Sequence, residues 1–430
     1  MGGDTEAYYL SFAHHIETKP LYSLLMEGAR RLFGTEKYLY AIAVFQMLLS
    51  VVCITIFVCY IKKAMNTGVL FTLAVWLCAL APYIILLPED VISHSLMTES
   101  LTYPLTYIYV IMLLKGIFES KKVYVYLSVA IVILLTLIRG QMLFLLAPSV
   151  ICFVYILLRD KKINTQKTTW KKSLLSLLIF LVFVFLCIKG ESLLCGLYER
   201  CFFGAPKMSY SAQTLVQKAM FCADKEDEAL FSDEITKEIF SETYERIMDA
   251  ESNYRFMSHK LTDWKHTTGS FGTVSYTLGD VVSEVALSEN IDISNRFEKE
   301  AITLKYSDEL SKKLIMKHPG RFLYVSLSMM PAGFVSTVLF HKESLYWPIH
   351  IFTLMFYVVM VFLSFKLWKR KREVSEYIWV VLLISIVNVV ASNLIHMGLQ
   401  RYMAYTLGLN WVGAVLLIKQ MFMGDKRIYE

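Results

Sequence analysis

Long apolar runs alternate with short charged segments along most of this chain of 430 residues. Each run is about 16–23 residues long and almost free of charge, which is the length that a helix needs to cross a hydrocarbon core. The runs cover residues 38–60, 69–87, 101–118, 123–138, 141–158, 173–188, 346–365, 377–395 and 402–417. The pattern predicts an all-α polytopic membrane protein with about 9–10 transmembrane helices, in an N-terminal bundle of six (38–188) and a C-terminal bundle of three (341–430).

A polar region, 189–321, separates the two groups of apolar runs. Two stretches in it, 231–257 and 297–323, combine helix start signals with apolar residues at helical spacing. Between them "HTTGSFGTVSYTLGD", at 266–280, is rich in glycine and threonine and predicts a loop with room for short strands. We therefore expect a mainly helical domain that caps the membrane bundle.

Lysine and arginine are concentrated in alternate loops, and this bias sets the orientation of a membrane protein. The loops assigned to the inner side carry a net charge of +13 and all other polar segments −7, which gives the +6 of the whole chain. These inner loops are 61–68, 115–122, 159–172, 366–376 and 419–430. The segments 1–37 and 189–321 are then extracytoplasmic, the first as a catalytic-type loop and the second as the cap domain.

The apolar segment 322–340 does not fit this alternation. If it crossed the membrane, the basic stretch 366–373 would face outward, against the distribution of positive charge that membrane proteins show. Pro331 and Gly333 also interrupt the segment. We expect an interfacial or re-entrant segment, and a tenth crossing helix is the alternative.

The composition agrees with a membrane protein and excludes several other classes. The chain is 56% hydrophobic and 19% charged, whereas a soluble protein is roughly 45–50% apolar and about 25% charged. It contains no P-loop, GxGxxG or GxSxG motif, and its eight cysteines show no zinc-binding spacing. The opening segment also has no Asp-x-Asp pair. The sequence predicts no cofactor, no metal ligands and no nucleic-acid partner, and it leaves dependence on a divalent metal open.

Charged side chains gather at the predicted outer face, where a charge without a partner is costly and therefore points to function. The candidates are Asp4, Glu6, Lys19, His94, Glu99, Arg139, His396 and Arg401. Carboxylates and cations at one face suit one chemical task. The cations hold a phosphate, and a carboxylate removes a proton from an attacking hydroxyl or amine.

Plainer interpretations exist for each of these residues. Asp4 could be a solvated acid, and Lys19 could extend its ammonium group to the membrane interface. Glu99 suits the first turn of a helix because the helix dipole favours an acid there. Arg139 could hold the turn between two helices, and Arg401 could anchor lipid headgroups.

Short motifs recur in a recognisable order. "GDTEAYYLSFAHHIETKPLYSLL" offers Asp4, Tyr8 and the pair Lys19-Pro20, and "LMTESLTYPL" places Glu99 at the start of a helix. "TLIRGQMLFLLAP", "KHPGRFLYVSL" and "LQRYMAY" follow. This order resembles the GT-C class of polyprenyl-phosphate-sugar-dependent glycosyltransferases, namely the protein O-mannosyltransferases and the bacterial aminoarabinose transferases. The chain lacks the second proline of their Lys-Pro-Pro motif and the proline of their Thr-Arg-Pro motif.

The resemblance implies a GT-C-like bundle in a bacterial plasma membrane that moves a sugar from a polyprenyl-phosphate donor to an extracytoplasmic lipid, glycan or protein acceptor. In this family the acidic loop follows a first transmembrane helix, so we expect such a helix upstream of Met1. By the same resemblance Asp4 is the general base, Glu99 a second catalytic carboxylate, and Lys19, Arg139 and Arg401 neutralise the departing phosphate. The remaining substrate-binding candidates are Glu6, His94 and His396.

Two other classes of protein stay open. A polysaccharide polymerase or ligase also combines many helices with a large outer loop, but it acts on a diphosphate-linked glycan. A non-enzymatic transporter or flippase of glycolipids would place charges at mid-membrane and show two related halves. A degenerate, inactive member of the GT-C class is a further alternative.

Overall fold

The computed structural model is built from α-helices and short 3-10 turns. It describes residues 19–85, 97–163, 170–203, 210–258, 264–291, 296–339, 346–395 and 400–422. The described residues contain no β-strand, and six of their helices are long and apolar enough to cross a membrane. The chain is therefore an all-helical membrane protein, as the apolar runs predict.

The described residues of the N-terminal bundle form six helices. They are α1 (Pro20–Met65), α2 (Val69–Ile85), α3 (Glu99–Glu119), α4 (Lys122–Ile138), α5 (Leu146–Ile163) and α6 (Trp170–Phe203), and a 3-10 turn (Gly140–Leu145) joins α4 to α5. Among the six candidate membrane spans α3 is the most enclosed, because it packs against α1, α4, α5 and α14. The helix α6 lies at the edge and leaves most of its apolar side chains exposed, as a lipid-facing helix does.

The cap is a separate group of helices with its own apolar core. It contains α7 (Tyr210–Phe221), α8 (Glu234–Asp249), α9 (Trp264–Ser288) and α10 (Arg296–Lys317), with 3-10 turns at Lys225–Leu230 and Tyr254–Phe256. Met220, Phe240, Val274 and Leu310, one from each helix, are buried in this core. The limits 189–321 that we assign to the cap stay a prediction.

The C-terminal part begins with two short helices. The elements are α11 (Pro319–Ser328), α12 (Met330–Ser336), α13 (Tyr346–Leu367), α14 (Arg372–Ile395), α15 (Gln400–Met403), a 3-10 turn (Ala404–Thr406) and α16 (Leu407–Phe422). The six candidate membrane spans are α1, α3, α5 with its 3-10 turn, α6, α13 and α14. The structure breaks the apolar segment 322–340 into α11 and α12 beside Pro331. Neither helix is long enough to be a candidate membrane span.

The prediction of a loop at 266–280 is wrong, since these residues lie within the helix α9. Phe271, Val274 and Leu278 recur at helical spacing and are buried. Burial of these side chains outweighs the low helix propensity of the glycines beside them, because propensity is a weak preference that tertiary packing overrides.

The opening loop also needs correction, since 20–37 is helical rather than a loop. Pro20 suits the first turn of α1 because the missing N–H has no helical partner there. Tyr22 and Met26 are buried on one face of this first part of α1. Gly34, with φ +76° and ψ 169°, then bends the chain before the apolar run begins. Residues 1–18 lie outside the described part.

The helix α6 continues beyond 188, where we expected the bundle helix to end. Its 34 residues extend about 51 Å at 1.5 Å per residue, whereas the hydrocarbon core is about 30 Å thick. Lys189 and Glu191 therefore lie on a continuous helix and not in a separate loop.

Contacts between helix ends show which segments lie together at one end of the bundle. Glu376 accepts a hydrogen bond from Tyr155 (2.7 Å) and pairs with Arg159 (3.3 Å). Lys419 donates to the main-chain oxygen of Met65 at 2.7 Å. Lys371, in the segment of Glu376, is close enough to Lys419 to act on its charge. Arg159, the segment 366–376 and Lys419 therefore lie at one end of the bundle, which we call the Lys419 end. The opposite end, where α3 begins, is the Glu99 end.

The non-helical residues after α12 obtain hydrogen bonds from α16. Asn410 Nδ2 donates to the main-chain oxygen of Thr337 at 2.9 Å, and Trp411 Nε1 donates to that of Val338 at 2.7 Å. In a membrane such bonds are needed, because no water reaches a carbonyl that a broken helix leaves without a partner. These contacts suit a re-entrant segment, and its position in a membrane stays a prediction.

Replacing Trp411 by phenylalanine tests this anchoring. The change keeps an aromatic ring and removes the donor to Val338, so we expect the free energy of unfolding in lipid bicelles to fall by about 1–3 kcal/mol. The matched control is Trp347→Phe, because Trp347 is 59% exposed and should change stability by no more than about 0.5 kcal/mol. Equal losses in the two variants would contradict the anchoring role.

Candidate functional site

The predicted site residues divide into two groups. Lys19, Glu99, Arg139 and Arg401 are described by the structure. The other candidates lie outside the described residues, and they are Asp4, Glu6, His94 and His396. The four described residues come from four separate elements, and all four lie at the Glu99 end of the bundle.

Glu99 is the first residue of α3, and its side chain is 1% exposed. Its Oε2 atom lies 2.8 Å from Arg139 Nη1, and its Oε1 atom lies 3.5 Å from Arg401 Nε. Thr98 Oγ1 also donates to Oε2 at 3.0 Å. A buried carboxylate is stable only when ion pairs and hydrogen bonds compensate for its lost hydration. Glu99 therefore pairs with both arginines at the start of α3.

Arg139 lies between α4 and the 3-10 turn, where the backbone is extended and its side chain can turn toward α3. Its Nη1 donates to Thr98 Oγ1 at 2.8 Å, and its Nε donates to Gln141 Oε1 at 3.1 Å. The guanidinium carbon lies 4.4 Å from the centre of the Tyr402 ring, within the range of a cation–π contact. These contacts fix the plane of the guanidinium group.

Arg401 reaches the same carboxylate from the short helix α15. Its guanidinium carbon lies 5.3 Å from the Tyr402 ring centre. Tyr103 of α3 donates its hydroxyl hydrogen to the main-chain oxygen of Arg401 at 2.6 Å and stacks on Tyr405 at 4.3 Å. The Arg401 side chain is 27% exposed, compared with 12% for Arg139. Both arginines therefore keep surface that a ligand can contact.

Lys19 approaches from the start of α1, on the other side of the 3-10 turn. A Cβ atom built on Gly140 would lie 3.0 Å from Lys19 Cε, so the glycine makes room for the lysine beside Arg139. Lys19 Nζ pairs with Glu191 Oε1 of α6 at 2.8 Å and lies 3.7 Å from Cys195 Sγ. Burial lowers the pKa of Lys19, but the hydrogen bond to Glu191 and the nearby negative charge outweigh this, so the pKa is raised. Lys19 stays a cation.

We call Lys19, Arg139 and Arg401 the cationic cluster. Its members are preorganised by Glu99 and Glu191 and remain partly exposed. Such an arrangement suits an anion with several acceptor oxygens, and a phosphate or carboxylate fits it best. Glu99 itself is a poor proton acceptor, because two guanidinium groups stabilise its ionised form. Its contacts favour a role in orienting the arginines.

Sequence reasoning missed several partners of the cluster. Gln141 stands in the quoted "LIRGQ" stretch, and its Nε2 donates to Ser392 Oγ of α14 at 2.7 Å. Tyr402 is adjacent to Arg401 and supports both guanidinium groups. Glu191 could have been singled out as an acid directly after an apolar run, but nothing in the sequence pairs it with Lys19. The contacts of Gln141 with Ser392, Tyr402 with Arg139 and Glu191 with Lys19 join residues more than 150 positions apart, which local patterns do not reveal.

One cluster in the cap has the side chains of a metal site. Ligand atoms of Asp224, Asp227 and His318 all lie within 4.8 Å of one another. However, Arg255 and Arg321 pair with the two oxygens of Asp224 at 3.0 and 2.7 Å. Two guanidinium groups oppose a divalent cation at this position. We interpret the cluster as an ion-pair network that holds α11 to the cap.

Replacing Glu99 by glutamine tests whether this carboxylate holds the cluster. The variant leaves two arginines side by side, so we expect the free energy of unfolding to fall by about 2–3 kcal/mol, somewhat less than a wholly buried pair loses because both arginines touch solvent. The control is Glu119→Gln at the opposite end of α3, where an exposed pair with Lys121 should contribute nothing measurable. A loss of stability no greater than that of the control would contradict the role of Glu99.

Comparison with known proteins does not identify a family. No protein-family model, no curated protein and no solved structure matches this chain.

Proposed function

We propose that this chain is a membrane glycosyltransferase of the GT-C type, which moves a sugar from a polyprenyl-phosphate donor to an extracytoplasmic lipid, glycan or protein acceptor. The observation that carries the proposal is the convergence of Lys19, Arg139 and Arg401 at one end of the bundle. Motif resemblance assigns these residues, independently of the structure, to the leaving phosphate.

Transfer of a sugar from a lipid phosphate leaves a phosphate group with more negative charge than it had in the donor. Cations that are held in place before the reaction stabilise this charge without reorganising during the step. The two arginines are held by Glu99 and by the Tyr402 ring, and Lys19 is held by Glu191. The cationic cluster therefore supplies what the leaving group needs, and no nucleotide is required.

The charge of the site favours a monophosphate donor. The three cations of the cluster face the two carboxylates that hold them, so one positive charge is left among the described residues. A sugar linked to a polyprenyl phosphate is a phosphodiester with one negative charge. A diphosphate-linked glycan, the substrate of a polymerase or ligase, would bring a second negative charge.

The general base in this proposal is Asp4, which lies outside the described residues. Attack on the anomeric carbon needs a group that accepts the proton of the acceptor hydroxyl or amine. Glu99 is unsuited to this step because both guanidinium groups stabilise its charge. We therefore assign Glu99 to positioning, and the proton to Asp4 or to its neighbour Glu6.

We propose that the Glu99 end faces the extracytoplasmic side of a bacterial plasma membrane. The basic segments collect at the Lys419 end, and lysine and arginine favour the cytoplasmic side. The distance along α6 from Trp170 to Glu191 is about 32 Å, close to the thickness of the hydrocarbon core. The cluster then lies at the outer membrane interface, where a lipid phosphate is found, below the cap.

The first test of this function is Asp4→Asn. The change keeps the shape of the side chain and removes its proton acceptor, so turnover should fall by roughly 10²–10⁴-fold. Donor binding should change little because the cationic cluster is intact. The assay follows transfer from a synthetic short-chain polyprenyl-phosphate sugar to membrane extracts that carry the native acceptor. Full activity of this variant would remove Asp4 from the mechanism.

The second test is Arg401→Ala, which should act on binding before turnover. Loss of one charge-assisted contact to the phosphate should weaken donor binding about tenfold or more, in line with the roughly 1.5–3 kcal/mol of such a bond. Arg31→Ala is the control, because Arg31 pairs with Glu27 of its own helix and is 72% exposed. If both variants bind a polyprenyl phosphate as the unchanged protein does, Arg401 is not part of a phosphate site.

A further inference from the structure

Lys218 of α7 is wholly buried where the cap meets the end of α14. Its Nζ atom donates a hydrogen bond to the main-chain oxygen of Asn393, in the last turn of that helix. The last carbonyls of a helix have no partner within the helix and carry partial negative charge, so a cation is favoured there. The rings of Phe271 and Phe322 lie 5.8 and 5.7 Å from the same nitrogen.

Among the residues that the structure describes, no carboxylate acts on the ammonium group of Lys218. Within the part of the chain that the structure describes, the titratable side chain that acts on the ammonium group is the Cys222 thiol, one turn further along. The helices α9 and α11 present the two phenylalanine rings, α14 presents an amide, and α10 brings no charge that acts on Lys218. Arg321 of α11 is directed to the Cys222 carbonyl and to Asp224.

This buried amine is joined to the cationic cluster through consecutive residues. Asn393, which accepts the hydrogen bond from Lys218, follows Ser392 in α14. Ser392 accepts a bond from Gln141, and Gln141 accepts one from Arg139. Gly333 packs against Asn393, since a Cβ atom built on it would lie 2.9 Å from Asn393 Nδ2. Hydrogen bonds and adjacent residues therefore connect the last turn of α14 to Arg139.

We propose that Lys218 is a positioning residue, through which docking of the cap sets the placement of Arg139, and that this docking strengthens as pH rises. When the cap docks, the amine satisfies the Asn393 carbonyl and fixes the last turn of α14. Ser392 is then in place to hold Gln141, which orients Arg139. The consequence for sugar transfer rests on the proposed function, but the docking and its pH dependence do not.

The direction of the pH effect follows from proton linkage. Burial lowers the pKa of Lys218 to about 7 when the cap is docked, from 10.5 for an exposed lysine. Between these two values the undocked cap binds a proton that the docked cap does not, so docking releases it. Raising the pH therefore strengthens docking by about tenfold for each pH unit in this window. Below pH 7 the docked and undocked caps both bind the proton, so docking is at its weakest and no longer changes with pH.

Hydrogen–deuterium exchange of the full chain in lipid nanodiscs measures this docking directly. Protection is followed in 213–222 of the cap, 389–395 of α14 and 139–146 beside Arg139, at pH 6.5 and pH 9, after correction for intrinsic exchange. The variants are Lys218→Met, which cannot be charged, and Lys218→Arg, which is always charged. Lys312→Met is the matched control, because Lys312 is a cap lysine that is 66% exposed.

In the unchanged protein and in the control, protection of all three segments should rise by roughly 50- to 100-fold between pH 6.5 and pH 9. Both Lys218 variants should show no such rise. Constant protection in the unchanged protein, or a normal rise in Lys218→Met, would overturn the proposal. A rise confined to 213–222 and 389–395 would overturn the coupling to Arg139. If docking behaves as expected but no polyprenyl-phosphate sugar is turned over, the proposed function is wrong, and the role of Lys218 in docking the cap is still supported.

Discussion

The arrangement of the Glu99 end depends on one buried carboxylate. Glu99 begins the most enclosed of the candidate membrane spans, and an ionised group at this depth requires compensation. The compensation comes from Arg139 and Arg401, which belong to segments far apart in the sequence. The same ion pairs that make the carboxylate tolerable hold two guanidinium groups side by side, an arrangement that mutual repulsion would otherwise oppose. The ion pairs that stabilise the buried carboxylate therefore also place the two cations where we propose that the phosphate binds.

A second constraint is the supply of hydrogen bonds to helix ends. Lys419 donates to the end of α1, Arg159 donates to the Ile117 carbonyl of α3 at 2.7 Å, and Lys218 donates to the end of α14. In each case a basic side chain of another element donates to the last turn of a helix, where carbonyls lack a helical partner and the dipole favours a cation. Basic residues thus join the elements of the fold.

Local sequence patterns predicted the helices that consist of continuous apolar runs. They failed for helices that form because they pack against segments distant in the sequence. The apolar runs located α3 and α14 to within a few residues. They did not reveal α9, because its glycines resemble a loop until burial against the rest of the cap is known. They also missed the outer part of α1, which is helical because one face packs on α3 and α4.

The candidate site shows the same division. Glu99, Arg139 and Arg401 could be singled out because charge beside an apolar run is costly and needs a reason. Their mutual pairing, the support from Tyr402 and the contact of Lys19 with Glu191 could not be predicted. Each of these joins helices whose packing is set by the whole bundle rather than by neighbouring residues.

The most direct test of the account is a structure of the protein in lipid nanodiscs with a short-chain polyprenyl phosphate bound. The account predicts that the phosphate lies at the Glu99 end, with its oxygens about 3 Å from nitrogens of Arg139 and Arg401. Lys19 should be within reach of the same group, and the lipid chain should extend along the bundle. A phosphate bound at the Lys419 end, with the arginines still closed on Glu99, would contradict it.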